Sequence, residues 1–395
     1  MGEGARIPLA MLVVFGSAKL LAQVFERLRM PGLAGEILAG VLIGPPVLHW
    51  VEPDSFLTAL ADLGALFLLF RVGLEVEARE LFRVGGTAML VAAGGVVLPL
   101  VAGWGITAAW GGSGIESIFV GASMVATSVG ITAHVLAGRG LLHHRASRII
   151  LAAAVIDDVL GLLVLAVVSS LAQGRLNVPD ILFTTATAVA FVLVVAVLGT
   201  RTMKRVIPGV TRTLRSGEVQ FDLAMVLLFG LAVAAVFTGV APIIGAFLAG
   251  MASGEGLDRR VRDLSHGVTE LLVPFFLAGI GMHLDVRAFN SWPVVLLAGV
   301  ILLAAVVTKI LGCGLGAWPL PWADRFRVGA GMVPRGEVGM VVAKIGLGMG
   351  VITPAIYGVV VLMAVATTIA APPLLKLAFR DAGPREPESE EFRLG

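Results

Sequence analysis

The chain has 395 residues, of which 57% are hydrophobic and 14% are charged, and its formal net charge is +2. Soluble globular proteins carry roughly 25% charged residues, so this composition excludes an ordinary soluble domain and is typical of a protein embedded in a bilayer. The lone cysteine, Cys313, excludes a disulfide framework and a cysteine-based metal cluster.

Apolar runs, most of them about 20 residues long, predict an all-α integral membrane protein with 13 transmembrane helices. Because the connecting loops are short, residues 1–378 are predicted to form a single membrane transporter domain, followed by a polar cytoplasmic tail at 379–395. The predicted spans are 8–27, 33–50, 56–75, 84–108, 117–137, 147–172, 180–202, 219–239, 242–254, 268–283, 292–316, 327–349 and 354–378.

The Lys and Arg residues between these spans are distributed unevenly. If the spans alternate in direction, 21 basic residues fall on one side of the membrane and only Arg6, Arg175 and Arg287 fall on the other. Since cytoplasmic loops carry the excess of basic residues, this predicts an N-terminus outside the cell and a C-terminus in the cytoplasm. The asymmetry also favours an odd number of spans, because a missed helix would exchange the two sides partway along the chain.

Two spans contain sequences that do not fit a uniform apolar helix. The fifth holds small and hydroxyl-bearing residues at 127–132 (TSVGIT), and the twelfth holds 334–339 (PRGEVG). Interrupted segments at matching places in two halves are typical of transporters built from inverted repeats. We therefore predict two six-helix inverted repeats, spans 1–6 and 8–13, whose broken helices 5 and 12 cross at the membrane midplane.

Charged side chains within spans are the candidates for function, because each costs on the order of 2.5–3.5 kcal/mol at the bilayer centre. Asp157 and Asp158 are adjacent in the sixth span, Lys309 lies in the eleventh, and Arg335 and Glu337 lie at the break of the twelfth. Further charged residues, at depths that the sequence does not fix, are Glu36, Asp62, Arg71 and Glu75.

Two adjacent aspartates on a helix point about 100° apart, so Asp157 and Asp158 cannot serve the same partner. One of them can face a basic residue, for which Lys309 is the natural choice, while the other faces a water-filled cavity. A carboxylate in such a cavity can hold either a proton or a hard monovalent cation, and competition between these two ligands is the simplest chemistry for exchange. The alternative is a structural ion pair, or helix ends near the membrane interface.

The broken spans supply further groups for an ion site. Half-helix ends bring free carbonyls and partial charges to the midplane, and Thr127 and Ser128 offer hydroxyl oxygens there. Arg335 and Glu337 are expected to pair with each other as a structural element of the break, with direct ion contact as the alternative.

Six motifs occur in order along the membrane region, and together they resemble the bacterial cation:proton antiporter-2 family, in particular its NapA-type Na+/H+ antiporters. The motifs are 35–45 (GEILAGVLIGP), 67–75 (FLLFRVGLE), 126–132 (ATSVGIT), 156–158 (IDD), 241–250 (APIIGAFLAG) and 334–339 (PRGEVG). The chain departs from the family pattern at Arg71, where an uncharged residue is expected. Near the cytoplasmic end of the third span, this arginine is expected to neutralise Glu75.

The resemblance implies a homodimer with dimerisation and core subdomains interleaved in sequence, working by an elevator-like form of alternating access. It implies that Asp158 binds Na+ or Li+ in competition with the proton, and that Asp157 pairs with Lys309. An Asp-Asp pair with a lysine further implies electrogenic exchange of two protons for one Na+ across a bacterial plasma membrane. The resemblance implies no cofactor, no nucleic-acid partner and no enzymatic reaction.

Two other functions stay open on the sequence. One is a K+/H+ antiporter of the same fold, since the sequence does not fix cation size selectivity. The other is an intramembrane aspartyl protease, whose two carboxylates must face each other from different helices across a water. Because Asp157 and Asp158 are neighbours on one helix, the protease is the remote alternative.

Overall fold

The computed structural model describes residues 3–28, 32–45, 47–76, 78–172, 178–199, 202, 219–254, 257–284, 286–289 and 291–381. A π-helical turn, Val195–Gly199, continues the eighth α-helix, and a 3₁₀ turn, Val286–Phe289, precedes the twelfth. The α-helices of this described part are α1 Glu3–Arg27, α2 Gly32–Ile43, α3 Ser55–Leu74, α4 Ala78–Ala109, α5 Gly114–Ser123, α6 Val129–Gly138, α7 Arg145–Ala172, α8 Val178–Val194, α9 Val219–Phe237, α10 Pro242–Ser253, α11 Arg259–Met282, α12 Trp292–Gly316, α13 Trp322–Gly331, α14 Glu337–Gly348 and α15 Pro354–Ala378.

Eight helices of the described part are long and apolar enough to cross a bilayer, and shorter apolar helices occupy the other predicted spans. The eight are α1, α3, α4, α7, α9, α11, α12 and α15. The prediction of an all-helical membrane protein is confirmed, while the count of thirteen crossings, the inverted repeats and the orientation of the termini stay predictions. Of the predicted tail, residues 379–381 lie within the described part and the rest lies outside it.

Helix packing divides most of these helices into two groups. Helices α1, α2, α3, α9, α10 and α11 pack mainly on one another, whereas α4, α5, α7, α12, α13 and α14 pack around the two broken segments. Three helices touch both groups among the described residues: α6 packs against α3 and α7, and α15 packs against α2 and α12. The third is α8, which packs against α7, while its π-helical continuation packs against α10. In a bilayer such contacts are held by close van der Waals packing rather than by burial from water.

Both spans with irregular sequences are broken into two short helices. The fifth predicted span consists of α5 and α6, and the twelfth consists of α13 and α14, with non-helical residues at 124–128 and 332–336. The second break contains Pro334, which lacks an N–H and disfavours helical backbone in the residue before it, and Gly336, whose backbone is extended at φ −135° and ψ −153°. The first break ends at Ser128, also extended, from which α6 begins.

Glycines allow the closest approach between helices, as on α4 and α12. A Cβ atom added to Gly94 would lie 2.2 Å from the Gly312 carbonyl oxygen, and one added to Gly312 would lie 2.3 Å from the Gly94 carbonyl oxygen. The two backbones are therefore in direct contact, a geometry that small residues permit between membrane helices. This contact fixes the position of α12, which carries Lys309, against α4.

Substitution of Gly312 by alanine is expected to destabilise the protein, because its new methyl group would overlap the backbone of α4. Overpacking of this kind costs about 1–3 kcal/mol, which is measurable as a lower unfolding temperature of the detergent-solubilised protein. The control is Gly299→Ala on the same helix, where an added Cβ has no neighbour within 4 Å. Equal unfolding temperatures for the two variants would contradict the close contact.

Candidate functional site

A buried ion pair joins α7 to α12 at the centre of the second helix group. The Lys309 Nζ atom lies 3.1 Å from Asp157 Oδ2 and 3.3 Å from Oδ1, and both side chains are 0% exposed. Behind the ammonium group is Gly95 of α4, where an added Cβ would lie 3.1 Å from Nζ and 2.7 Å from Cys313 Sγ. The lysine therefore reaches Asp157 through a space that exists because residue 95 has no side chain.

Asp158 is the second buried carboxylate of α7, with 4% of its surface exposed. Helix geometry turns it about 100° away from Asp157, and the hydrogen bonds of Lys309 are to Asp157. The structure thus gives the two neighbouring aspartates different surroundings. Asp157 is paired with Lys309, and the adjacent Asp158 lies on another side of α7.

The two breaks contact each other through backbone and hydroxyl groups. The Ser128 N–H donates to the Pro334 carbonyl at 2.8 Å, and the Thr127 hydroxyl donates to the Met332 carbonyl at 3.4 Å. A Cβ atom at Gly336 would lie 2.8 Å from the Ser128 hydroxyl oxygen, so only glycine fits there without displacement. Thr127 and Ser128 therefore join the two non-helical segments, and both side chains are buried.

Arg335 connects this crossing to the helix of Lys309. Its fully buried guanidinium donates to the carbonyls of Val125 and Ala126 in the first break, at 3.3 and 3.4 Å. It also donates to the Ala305 carbonyl on α12 at 3.2 Å, one helical turn before Lys309. Arg335 thus bonds to backbone of two other elements, while the side chain of Glu337, its expected partner, lies outside the described residues.

Three threonines complete the support of the crossing, and two of them, Thr367 and Thr368, were not among the residues that the sequence analysis named. Thr132, in α6, donates its hydroxyl to the Gly331 carbonyl at 2.7 Å. On α15, Thr367 accepts the Arg335 N–H at 3.1 Å, and Thr368 donates to the Arg335 carbonyl at 2.7 Å. A pair of adjacent hydroxyl residues inside an apolar helix was the one available signal, because buried hydroxyls in a membrane require partners.

The other charged residues predicted within spans lie away from this centre. Glu36 pairs with Lys19 of α1 at 3.0 Å. The expectation that Arg71 neutralises Glu75 is wrong, because α11 packs along α3 and brings Glu270 to within 3.8 Å of the Arg71 guanidinium. Asp62 lines a cavity beside the N-terminal half of α3.

Among the described side chains, the centre holds two carboxylates, Asp157 and Asp158, and two cationic groups, Lys309 and Arg335. A bound cation or a released proton changes the net charge of this buried region by one. Such a change is costly in a medium of low dielectric unless another ligand compensates it. Carboxylate, carbonyl and hydroxyl oxygens are also the ligands that hard cations prefer.

Comparison with known proteins places the chain among ion exchangers. Residues 11–380 match the family model described as sodium/hydrogen exchanger, transmembrane. The Na(+)/H(+)-K(+) antiporter GerN of Bacillus cereus is 31% identical over 374 residues, which cover 92% of this chain and 94% of GerN. The high-affinity Na(+)/H(+) antiporter NhaS3 of Synechocystis is also 31% identical, over 97% of this chain and 92% of its own length.

A solved structure shares the fold. The sodium proton antiporter MjNhaP1 of Methanocaldococcus jannaschii, in its structure at pH 8, superimposes with a TM-score of 0.66 at 18% sequence identity. The superposition covers 95% of this chain and 96% of MjNhaP1.

Removal of Lys309 is expected to leave Asp157 as a buried charge without its counter-ion. Breaking a buried pair in this way costs about 3–5 kcal/mol, so Lys309→Met should lower the unfolding temperature strongly. The double variant Lys309→Met with Asp157→Ala should recover part of that loss, because no stranded charge remains. The exposed Lys344→Met on α14 serves as the control. Additive effects of the two substitutions would show that the pair is not coupled.

Proposed function

The chain belongs to the sodium/hydrogen exchanger family, and we propose that it is an electrogenic Na+(Li+)/H+ antiporter in which a proton and a cation compete for Asp158. The observation that carries the proposal is the buried Lys309–Asp157 ion pair beside a second buried carboxylate. An ion pair alone would be a structural feature. A second buried carboxylate, next to one that already neutralises the lysine, gives a site at which one cation replaces one proton.

Asp158 carries the exchange in this mechanism, with Thr127 and Ser128 as candidate oxygen ligands of the Na+ ion. A carboxylate that has lost its proton attracts Na+, and one that holds a proton does not, so the two ligands exclude each other. Asp157 neutralises Lys309 meanwhile, and Arg335 holds the broken helices in register through their carbonyls. The helix ends at the crossing add partial charges that require no moving counter-ion.

Electrogenic exchange requires that more protons than Na+ ions cross. We assign the first proton to Asp158 and the second to the Lys309–Asp157 pair, since a disturbed pair can release the proton of the lysine. Two protons then move against one Na+, and one net positive charge moves with the protons. A proton gradient directed into the cell would thereby expel Na+ and contribute to pH homeostasis.

The carrier is proposed to work by an elevator-like movement of the helix group that holds the site. The division of the helices into two groups supports this, because the site lies within one group and could move with it as a unit. The predicted inverted repeats, the homodimer, the bacterial plasma membrane and the orientation with the N-terminus outside belong to the same proposal.

K+/H+ exchange on the same fold is the second candidate. GerN, one of the 31% identical relatives, is named a Na(+)/H(+)-K(+) antiporter. The name of a similar protein therefore includes K+. The aspartyl protease is disfavoured, because Asp157 and Asp158 are adjacent on α7 and cannot face each other across a water.

Asp158→Asn is expected to abolish Na+-dependent proton movement in proteoliposomes, because an amide neither titrates nor attracts a cation as a carboxylate does. The readout is the dissipation of an imposed pH gradient after Na+ is added, followed with a trapped pH dye. Asp54→Asn is the control: Asp54 caps α3 by accepting the Leu57 N–H at 2.9 Å, and asparagine caps equally well. Full exchange by folded Asp158→Asn protein would refute the assignment.

Cation choice and electrogenicity are tested together by titrating Na+, Li+ and K+ against the pH gradient, with and without a permeant anion that clamps the membrane potential. Na+ and Li+ should both drive exchange, and the clamp should accelerate it, because uncompensated charge movement opposes turnover. A rate that is independent of the clamp would indicate electroneutral exchange. A response to K+ alone would favour the second candidate.

A further inference from the structure

Two cavities approach the centre of the molecule from opposite ends of the helices. The first has a volume of ≈ 540 Å³ and is lined by charged residues, among them Lys19, Glu36, His134 and Glu270. The second has a volume of ≈ 440 Å³, and its mostly apolar lining includes Asp62. No residue of the described ranges lines both cavities.

Helix α11 passes along both cavities and shows how thin the separation is. Its residue Val273 lines the first cavity and Phe276 lines the second. These positions are one helical turn apart, which corresponds to a rise of about 4.5 Å. Along this helix, residues within one turn of each other therefore line different cavities.

At this turn of α11, apolar side chains pack against a bare backbone. Leu69 of α3 is 0% exposed and Phe276 is 7% exposed, and both belong to one buried cluster. They face Gly130 of α6, where an added Cβ would lie 3.2 Å from Leu69 Cδ2 and 3.8 Å from the Phe276 ring. Gly130 comes two residues after Ser128, so the layer rests on the broken helix directly beside the crossing.

We propose that Leu69 and Phe276 form a hydrophobic seal against Gly130, and that this seal couples transport by keeping the two cavities apart. The inference rests on the proposed antiport and adds the residues that prevent a leak. Protons and Na+ ions cross an apolar layer only at a high cost, because no group there replaces their hydration. A smooth contact with glycine also allows the broken helix to shift along the layer without opening it.

The test compares Phe276→Ala with Phe119→Ala. Phe119 of α5 is 0% exposed, belongs to a different buried cluster and lines neither cavity. In proteoliposomes with an imposed pH gradient and no Na+, Li+ or permeant substrate cation, Phe276→Ala should leak protons roughly tenfold faster than the wild type. Phe119→Ala should hold the gradient like the wild type.

A second substitution adds bulk to the same layer instead of removing it. Gly130→Ala requires Leu69 to yield by a few tenths of an ångström, so it should slow Na+-driven exchange without causing a leak. Should Phe276→Ala fail to fold, Phe276→Leu replaces it, with a smaller leak expected. Equal leak rates for the Phe276 and Phe119 variants would overturn the seal. A wild type that exchanges no cation would instead refute the proposed antiport, while the leak comparison would still decide the seal.

Discussion

A bilayer offers no water to satisfy a backbone that leaves the helical conformation, and this constraint governs the centre of the protein. Residues 124–128 and 332–336 are non-helical at the same place in the fold, and each segment bonds to groups of the other. The Ser128 N–H and the Pro334 carbonyl are partners, and Arg335 serves the carbonyls of Val125 and Ala126. Neither break could persist alone in hydrocarbon, because its freed groups would have no partner.

Because an arginine bonds to the free carbonyls, the centre contains a buried positive charge. Other charged side chains lie close to it. Arg335 lies beside α12, one turn from Lys309, so two cationic side chains occupy the same region. On α7, Asp157 bonds to Lys309, and Asp158 is buried next to it. A site of this kind responds to a single proton or cation, which is the physical basis of the exchange that we propose.

Close packing keeps these charges at their distances. The contact of Gly94 with Gly312 holds α4 against α12, and Gly95 leaves room for the Lys309 ammonium. In the broken helices, Gly336 packs closely against Ser128. Gly130 packs against Leu69 and Phe276. Glycine thus marks the points where the helices of the candidate site touch their neighbours, at positions where a side chain would force the helices apart.

The sequence by itself determined the helical membrane architecture, the places of the two breaks and the identity of the buried charges, because apolar length and the cost of intramembrane charge are local properties. Helix geometry also predicted that Asp157 and Asp158 have different surroundings. Only the tertiary structure decided that Arg335 bonds to carbonyls, that Thr367 and Thr368 hold its backbone, and that Arg71 meets Glu270 rather than Glu75. These contacts join residues from different helices, and which helix faces which depends on the packing of the whole bundle rather than on any single span.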